Sequence, residues 1–310
     1  MKLLLWVPFF IFPALVQSNF ILTIFIFSFI LAIAAVSFNL IFGFTGQLSM
    51  FHAAAFGIAA YTTSLTVSIF QVSFWVALLP AICFTIVLSL VIGSICFKFK
   101  LRAFYFAVVT LAFSELARLV ILNWNNVTNG TLGLMVLDKP SVWLPLGGLV
   151  KIDGAVGWYF FSLAALIFTV ALCSLVLRSW IGRCFAAIRL NEDLAQTLGI
   201  DIFRYKLLSF TLANALAAIA GSLYAFYTGY IEPNYLSINQ SLDIISMVLL
   251  GGRSSIIGPI AGAFVLTGLP HMIDLSGETR AMLYGLVLIL TILIMPQGVI
   301  GTLASWRRAT

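Results

Sequence analysis

Two ionisable residues, Glu115 and Arg118, lie three positions apart inside an otherwise apolar stretch that runs from 103 to 123. Residues at i and i+3 share one face of a helix. At about 1.5 Å per residue, Glu115 falls about 3 Å and Arg118 about 7.5 Å beyond the middle of that stretch. An ionised group near mid-bilayer costs about 2.5–3.5 kcal/mol, so such groups turn toward protein and find partners. Two chemistries are open. The pair is either a local ion bridge that fixes packing, with Arg118 reaching outward along its stem, or a polar element on a path for solute, where Glu115 could also relay protons.

Gln47 and His52 flank a glycine-rich break, Gly43–Ser49, that also carries Ser49. A lone histidine either packs through hydrogen bonds or moves protons, and His271, placed in an outer loop, offers it no partner. The chain has no metal-ligand set, and neither a Ser-His-Asp arrangement nor a defensible carboxylate pair. It has no G-x-x-x-x-G-K-[ST] motif, indeed no Gly-Lys dipeptide, and so no phosphate cradle of its own. Any ATP must be hydrolysed on another chain. Asn126 and Asn129 head formal N-x-[ST] sequons, a short pattern that arises readily by coincidence.

These residues must be positioned by membrane-spanning helices. Charged residues number 26 in 310, or 8%, where a soluble chain would carry about 78 at the usual quarter. A water-facing surface cannot be built from so few. Hydrophobic residues make up 62% and mean hydropathy is +1.14, enough for about ten spans of about 20 residues. That leaves little polar sequence for a soluble catalytic domain, and points to transport, channel or anchoring roles. The net charge of +6 comes from basic residues scattered singly between apolar runs, not gathered on one face, so nucleic acid is not an expected partner. Cys83, Cys96, Cys173 and Cys184 form no C-x-x-C pair and read as free thiols.

Apolar runs fall near 3–16, 19–42, 51–70, 73–97, 103–123, 157–177, 207–229, 241–251, 256–270 and 281–301. Ten runs put both termini on one side. With that count, twelve Lys and Arg fall on the side of the termini and three, Lys139, Lys151 and Arg280, on the other. Such a bias marks the cytoplasmic face. The first run, broken by Pro8 and Pro13, has the marks of either a signal peptide or a retained short helix; the charge alternation favours retention. The eighth and ninth runs are too short to cross alone without tilt, and Gly251–Pro259 divides them as Gly43–Ser49 divides the second and third. Interrupted helices occur at membrane depth only where protein or a watery cavity satisfies the freed backbone; single glycines also serve close packing. The Ser, Gln and Arg mixed into both breaks favour a cavity lining.

Residues 178–206 hold eight of the 26 charges. Within them Phe185, Ile188, Leu194, Ala195 and Leu198 recur at near-helical spacing opposite Arg189, Glu192 and Asp193, which predicts one short amphipathic helix outside the bilayer. Gly199 reads as its stop and Asp201 as the cap of the next helix. Such a helix rests on lipid headgroups or docks a protein.

Here the residues resemble a family. Gly182-Arg183, Ala187-Ile188-Arg189, Glu192, Ala195 and Leu198-Gly199-Ile200, leading into Tyr205-Lys206-Leu207-Leu208, resemble the coupling loop of ABC-importer permeases of the LivM type of branched-chain amino-acid permease. Asn39-Leu40, Gly43, Gly46-Gln47-Leu48-Ser49, His52-Ala53-Ala54, Gly57 and Ala60-Tyr61 are similar to the amino-terminal signature of that family. Leu101-Arg102, Tyr105-Phe106-Ala107, Thr110-Leu111, Glu115 and Arg118-Leu119 resemble its central one, and Ser241, Met247, Gly251-Gly252, Ser255 and Gly258-Pro259 its carboxyl-terminal one. The outer segment Thr128–Gly133 is similar to its T-x-G element. The likeness runs from about residue 30 to 301. Departures are Phe51 in place of glycine, Asp243 in place of glutamate, and Arg253-Ser254 within a stretch usually richer in glycine.

The resemblance implies an all-α polytopic permease of about ten spans in one domain, 1–310, with residues 178–206 as its cytoplasmic coupling loop. It implies an inner-membrane importer subunit with both termini cytoplasmic, no cofactor of its own, and four kinds of partner: a second, LivH-like permease chain, two ATP-binding subunits, a periplasmic substrate-binding protein and the bilayer. Gly182, Arg189, Glu192, Ala195 and Gly199 are the expected coupling residues. Asn39, Gln47, Ser49, His52, Glu115, Arg118, Thr128, Gly130 and Asp243 are candidates for the path. The expected cargo is a branched-chain or other apolar amino acid. Urea or a short amide is the alternative in the same class, and a proton-coupled carrier using Glu115 the alternative from another.

Overall fold

The computed structural model describes residues 18–101, 103–136, 141–144, 148–152, 154–253 and 255–273, with positions 9, 10, 12, 13, 279, 285 and 289. Eleven helices lie in this part: α1 (Asn19–Phe42), α2 (His52–Phe70), α3 (Phe74–Lys98), α4 (Ala103–Asn123), α5 (Asn125–Thr128), α6 (Ala155–Arg178), α7 (Trp180–Leu190), α8 (Glu192–Thr197), α9 (Ile202–Thr228), α10 (Ile238–Gly251) and α11 (Gly258–Ile273). Six of them, α1, α2, α3, α4, α6 and α9, are long and apolar enough to cross a membrane, and α10 and α11 are shorter apolar helices. The helical runs read from hydropathy match these within about five residues at each end. Most of the first run and, save positions 285 and 289, the tenth, 281–301, lie outside the described residues. His271 is helical, because α11 continues to Ile273.

The helices form two tiers. In α1, α2 and α9 between 61% and 67% of the spanning residues are buried, whereas in α3, α4 and α6 the share is 28–33%. Helix α1 is apolar on every side because it is enclosed on every side: α6, α9, α10 and α11 all pack on it. The outer helices instead turn Val76, Leu79, Val87 and Leu90 of α3 and Phe168 and Leu175 of α6 outward. In water that would be an aggregation surface; in a bilayer lipid solvates it.

Close approach of backbones builds the inner tier. A side chain on Gly221 of α9 would collide with the Phe56 carbonyl of α2, and one on Gly262 of α11 with the Met247 carbonyl of α10. Small residues are favoured where apolar lipid supplies no hydrophobic drive and van der Waals contact must hold helices together. A hydrogen bond between Thr63 and Ser222 hydroxyls, 2.7 Å long, adds a polar tie between α2 and α9. Phe9 and Phe12 join an aromatic cluster with Phe25, Phe29, Tyr159 and Phe264, and the Tyr159 hydroxyl donates to the Phe9 carbonyl at 2.8 Å.

The all-helical expectation needs one correction. Four short strands occur: β1 (Leu134–Met135) pairs antiparallel with β4 (Tyr230–Ile231), and β2 (Ser141–Leu144) with β3 (Gly148–Lys151). The first pair ties the chain after α4 to the end of α9, where the backbone leaves its helices and its N–H and C=O groups need new partners. A 3₁₀ turn, Pro233–Leu236, then leads into α10. It sits deep: Ser114, half-way along α4, donates to the Leu236 carbonyl at 3.2 Å, and Gly57 of α2 leaves room for the Leu236 side chain.

Candidate functional site

Helix α1 ends at Phe42, and the chain runs without helix or strand until α2 starts at His52. Thr45, Gln47 and Ser49 in this break are buried. Its freed backbone is taken up by side chains from three directions. Thr110 of α4 accepts from the Met50 N–H at 3.0 Å, Ser241 of α10 donates to the Met50 carbonyl at 2.9 Å, and the Arg189 guanidinium of α7 donates to the Gly43 carbonyl. Protein, not an open cavity, therefore satisfies this break in the conformation described.

The second break lies against the first. Gly43 abuts the Arg253 carbonyl so closely that a Cβ would collide with it, and the Asn39 amide donates to the Ser255 carbonyl at 2.9 Å. Ser255 in turn accepts from the Gly258 N–H at 2.8 Å, capping α11, while Gly251 touches the Gly258 carbonyl. The Arg253 guanidinium stands over the Phe42 ring, 5.8 Å from its centroid. Burial, with the neighbouring Arg253 charge adding to it, lowers the pKa of Arg189 from its ordinary range.

His52 belongs to a separate buried chain. Its Nε2 lies 3.0 Å from the Ser37 hydroxyl and 3.1 Å from the Ala34 carbonyl, and its Nδ1 lies 3.1 Å from Asn214 Oδ1. The Asn214 amide donates onward to Ser89 at 3.0 Å. Four helices, α1, α2, α9 and α3, are thereby pinned together. Each member is enclosed, so the network specifies packing wherever it is fully satisfied.

Glu115 and Arg118 do face each other. Arg118 Nε donates to the two carboxylate oxygens at 2.9 and 3.0 Å. Yet the pair lies on the open side of α4, with the Glu115 side chain 42% exposed and that of Arg118 23%. Ala112, Glu115, Leu116, Leu119 and Val120 line a shallow groove there. Thr128 and Gly130 close the outer end of the same helix: the Thr128 hydroxyl bonds back to the Trp124 carbonyl at 2.9 Å, and Asn129 and Gly130 take positive φ to turn the chain. Asp243 is half-buried on α10.

The segment after α6 departs from the single amphipathic helix expected of it. Asn191 adopts extended φ and ψ of −162° and 114°, and its side chain accepts from the Leu194 N–H at 3.0 Å, so it caps a new helix instead of continuing the old one. The break splits the expected face. Phe185, Ile188 and Ala195 are buried, but Leu194 and Leu198 are 59% and 71% exposed. Gly182 folds α7 back onto α6, since a Cβ there would strike the Leu177 carbonyl. Gly199 ends the segment at φ +82°, a conformation glycine takes without cost, and Asp201 caps α9 by accepting from the Arg204 N–H at 3.1 Å.

Glu192 is half exposed and bridges two neighbouring pieces of chain. Its carboxylate accepts from Gln47 Nε2 at 3.2 Å and from Lys206 Nζ at 2.6 Å. Four members of these networks escaped sequence reasoning: Lys206, Asn214, Ser89 and Ser37. The signal for Lys206 and Asn214 was present, as polar groups set into the apolar run of α9, but neither names its partner, which lies 14 residues away in one case and 125 in the other.

An inner tier of apolar helices, two packed backbone breaks and a polar segment at one end define a polytopic membrane protein of transport type. The family described as branched-chain amino acid transport system / permease component matches residues 20–295, and the chain belongs to it. A subunit of this family has no ATPase of its own; partner subunits hydrolyse the ATP. Curated relatives agree. The chain is 26% identical to the high-affinity branched-chain amino acid transport system permease protein LivM of Salmonella typhimurium, over 86% of this chain and 67% of that one. It is 28% identical to a probable LivM of Methanocaldococcus jannaschii over 72% and 68%, and 32% identical to LivH of Escherichia coli over 47% of each. No solved structure matches the chain.

Proposed function

We propose that the chain is the membrane-pathway subunit of an ATP-driven importer for branched-chain or other apolar amino acids. Its complex would pair it with a LivH-like permease chain, two ATP-binding subunits and a periplasmic binding protein in the bacterial inner membrane, crossed ten times with both termini cytoplasmic. The observation that carries this reading is the ion pair on the open side of α4. Lipid cannot solvate Glu115 and Arg118 near mid-span without a cost of about 2.5–3.5 kcal/mol for each ionised group, whereas a second permease chain laid over α4 encloses both. The path then runs along that seam, with Glu115, Arg118 and the outer turn at Thr128 and Gly130 on its wall. An apolar groove with one polar station suits a zwitterion carrying an aliphatic side chain, because it holds the charged end without binding the whole too tightly to release.

The bidentate bond to Arg118 also argues against the proton-relay alternative, since it gives Glu115 a fixed partner on its own helix. The test is reconstitution with the second permease chain, ATPase subunits and binding protein, followed by radiolabelled leucine uptake and by cysteine cross-linking from position 119. ATP-dependent uptake and cross-links to the second permease are expected. Labelling of position 119 by a lipid-phase reagent in the assembled complex would overturn the assignment of this face.

A further inference from the structure

Lys206 is 6% exposed although its ammonium carries a full charge, and among the described residues only Glu192 compensates it. The Glu192 side chain is 45% exposed, so the cost of parting the two falls on Lys206, which would stay buried without a counter-charge. Glu192 begins α8, while Lys206 lies in the first turns of α9 and Gln47 in the first backbone break. One carboxylate therefore ties three pieces of chain. A second tie runs beside it, from Arg189 at the end of α7 to the Gly43 carbonyl of the same break, and Gly43 rests against Arg253 in the other. Outward, the same segment exposes Leu190, Leu194 and Leu198, at 59–86%, among the polar Asp193, Gln196 and Thr197.

From this we infer that Lys206 and Gln47 are positioning residues that lock the docking segment α7–α8 to both backbone breaks as one rigid lever. A displacement imposed on the outer leucines cannot be absorbed by opening the Glu192 contact, because that would leave Lys206 buried and unpaired. It is passed instead to the start of α9 and to the Gly43–Phe51 break, and through Gly43 and Asn39 to the break between α10 and α11. The Gln47 amide oxygen, buried without a partner, predicts one further property: with the charges exchanged, the amide can turn and offer that oxygen to a lysine at 192.

The inference rests on the importer reading, and the test separates the two. In the reconstituted complex, leucine taken up per ATP hydrolysed is measured for wild type, Lys206→Met, Glu192→Gln and the exchanged double variant Glu192→Lys/Lys206→Glu. The single variants should keep their ATPase subunits and basal hydrolysis yet lose about tenfold in uptake per ATP, within the usual range of coupling between sites. The exchanged pair should recover most of it, which a merely space-filling role would not produce. Should a single variant fail to assemble, Gln47→Cys/Glu192→Cys/Lys206→Met, which leaves no stranded lysine, joined by a short bis-maleimide in a cysteine-free background gives an independent reading, because a rigid lever works when cross-linked. Wild-type uptake per ATP in assembled single variants, an assembled exchanged pair that stays uncoupled, or uptake abolished by the cross-link would each overturn the lever alone. Absence of ATP-driven uptake in the wild type would overturn both readings.

Discussion

The side-chain amide of Asn39 donates to the backbone carbonyl of Ser255 at 2.9 Å, across a separation of 216 residues. This one bond joins the end of α1 to the turn before α11, and so brings together two glycine-rich interruptions that the chain keeps in opposite halves. Neighbouring contacts make the junction continuous with α7 and α8. Arg189 reaches the Gly43 carbonyl, and Glu192 reaches Gln47. The expected path residues thus fall into two groups. Asn39, Gln47 and Ser49 sit in a sealed junction with His52 packed close by, while Glu115 and Arg118 stand on the open face of α4.

Glu115 and Arg118 should behave as a unit. Glu115→Gln leaves Arg118 uncompensated near mid-span, at a cost of about 2.5–3.5 kcal/mol, and should reduce the amount of assembled subunit recovered from membranes. Adding Arg118→Met should restore most of it, with uptake that follows ATP and ignores the proton gradient. A well-assembled but inactive Glu115→Gln, with wild-type uptake that collapses with the gradient at constant ATP, would favour the proton carrier instead.

Gly199 should matter for its backbone and not for its space. It has φ +82° and nothing within 4 Å of where a Cβ would stand, so strain of about 1–3 kcal/mol is the whole effect of a β-branched residue there. Gly199→Val should insert normally but lose coupling between hydrolysis and uptake, whereas Gly199→Asn, which tolerates left-handed geometry, should keep most of it. Equal activity of the two variants would refute the argument.

Gly221 presents the opposite case. A methyl group there meets the Phe56 carbonyl, and Gly221→Ala should push α9 from α2 at a cost of about 1–3 kcal/mol. Thermal unfolding in detergent should register the loss. Gly268→Ala, whose nearest contact would be Ile24 at 4.0 Å, is the control and should leave the transition unchanged.

Orientation can be read by labelling. Cysteines placed at the exposed positions 126 and 132 should react with an impermeant maleimide from outside, and cysteines at 192 and 307 only after the membrane is opened. Reaction at 192 in sealed cells would refute the ten-span topology.

Sequence alone was enough to place the helices. Helices from 19–42 to 256–270 emerged, six of them long and apolar enough to cross a membrane, because the bilayer imposes a length and a composition that any transmembrane helix must show locally, with no knowledge of its neighbours. The two breaks, the Asp201 cap and the Gly199 stop were legible for the same reason: each depends on residues within one or two turns. The Glu115–Arg118 bond was foreseeable too, its partners being three residues apart. What separated α7 from α8 was local as well, but an Asn191 cap competes with helix continuation so evenly that periodicity did not reveal it.

Tertiary structure decided everything that depends on partners far along the chain. Helical periodicity shows that Lys206, His52 and Asn214 are out of place among apolar residues, yet it is silent about which distant group relieves each one. That choice follows from how closely backbones can approach, which Gly221, Gly251 and Gly43 settle through contacts with Phe56, Gly258 and Arg253. Only once those approaches are made does Glu192, half exposed, come within hydrogen-bond reach of Lys206 and Gln47. A buried charge must be compensated wherever the fold brings a counter-charge, and no local rule along the chain encodes where that is.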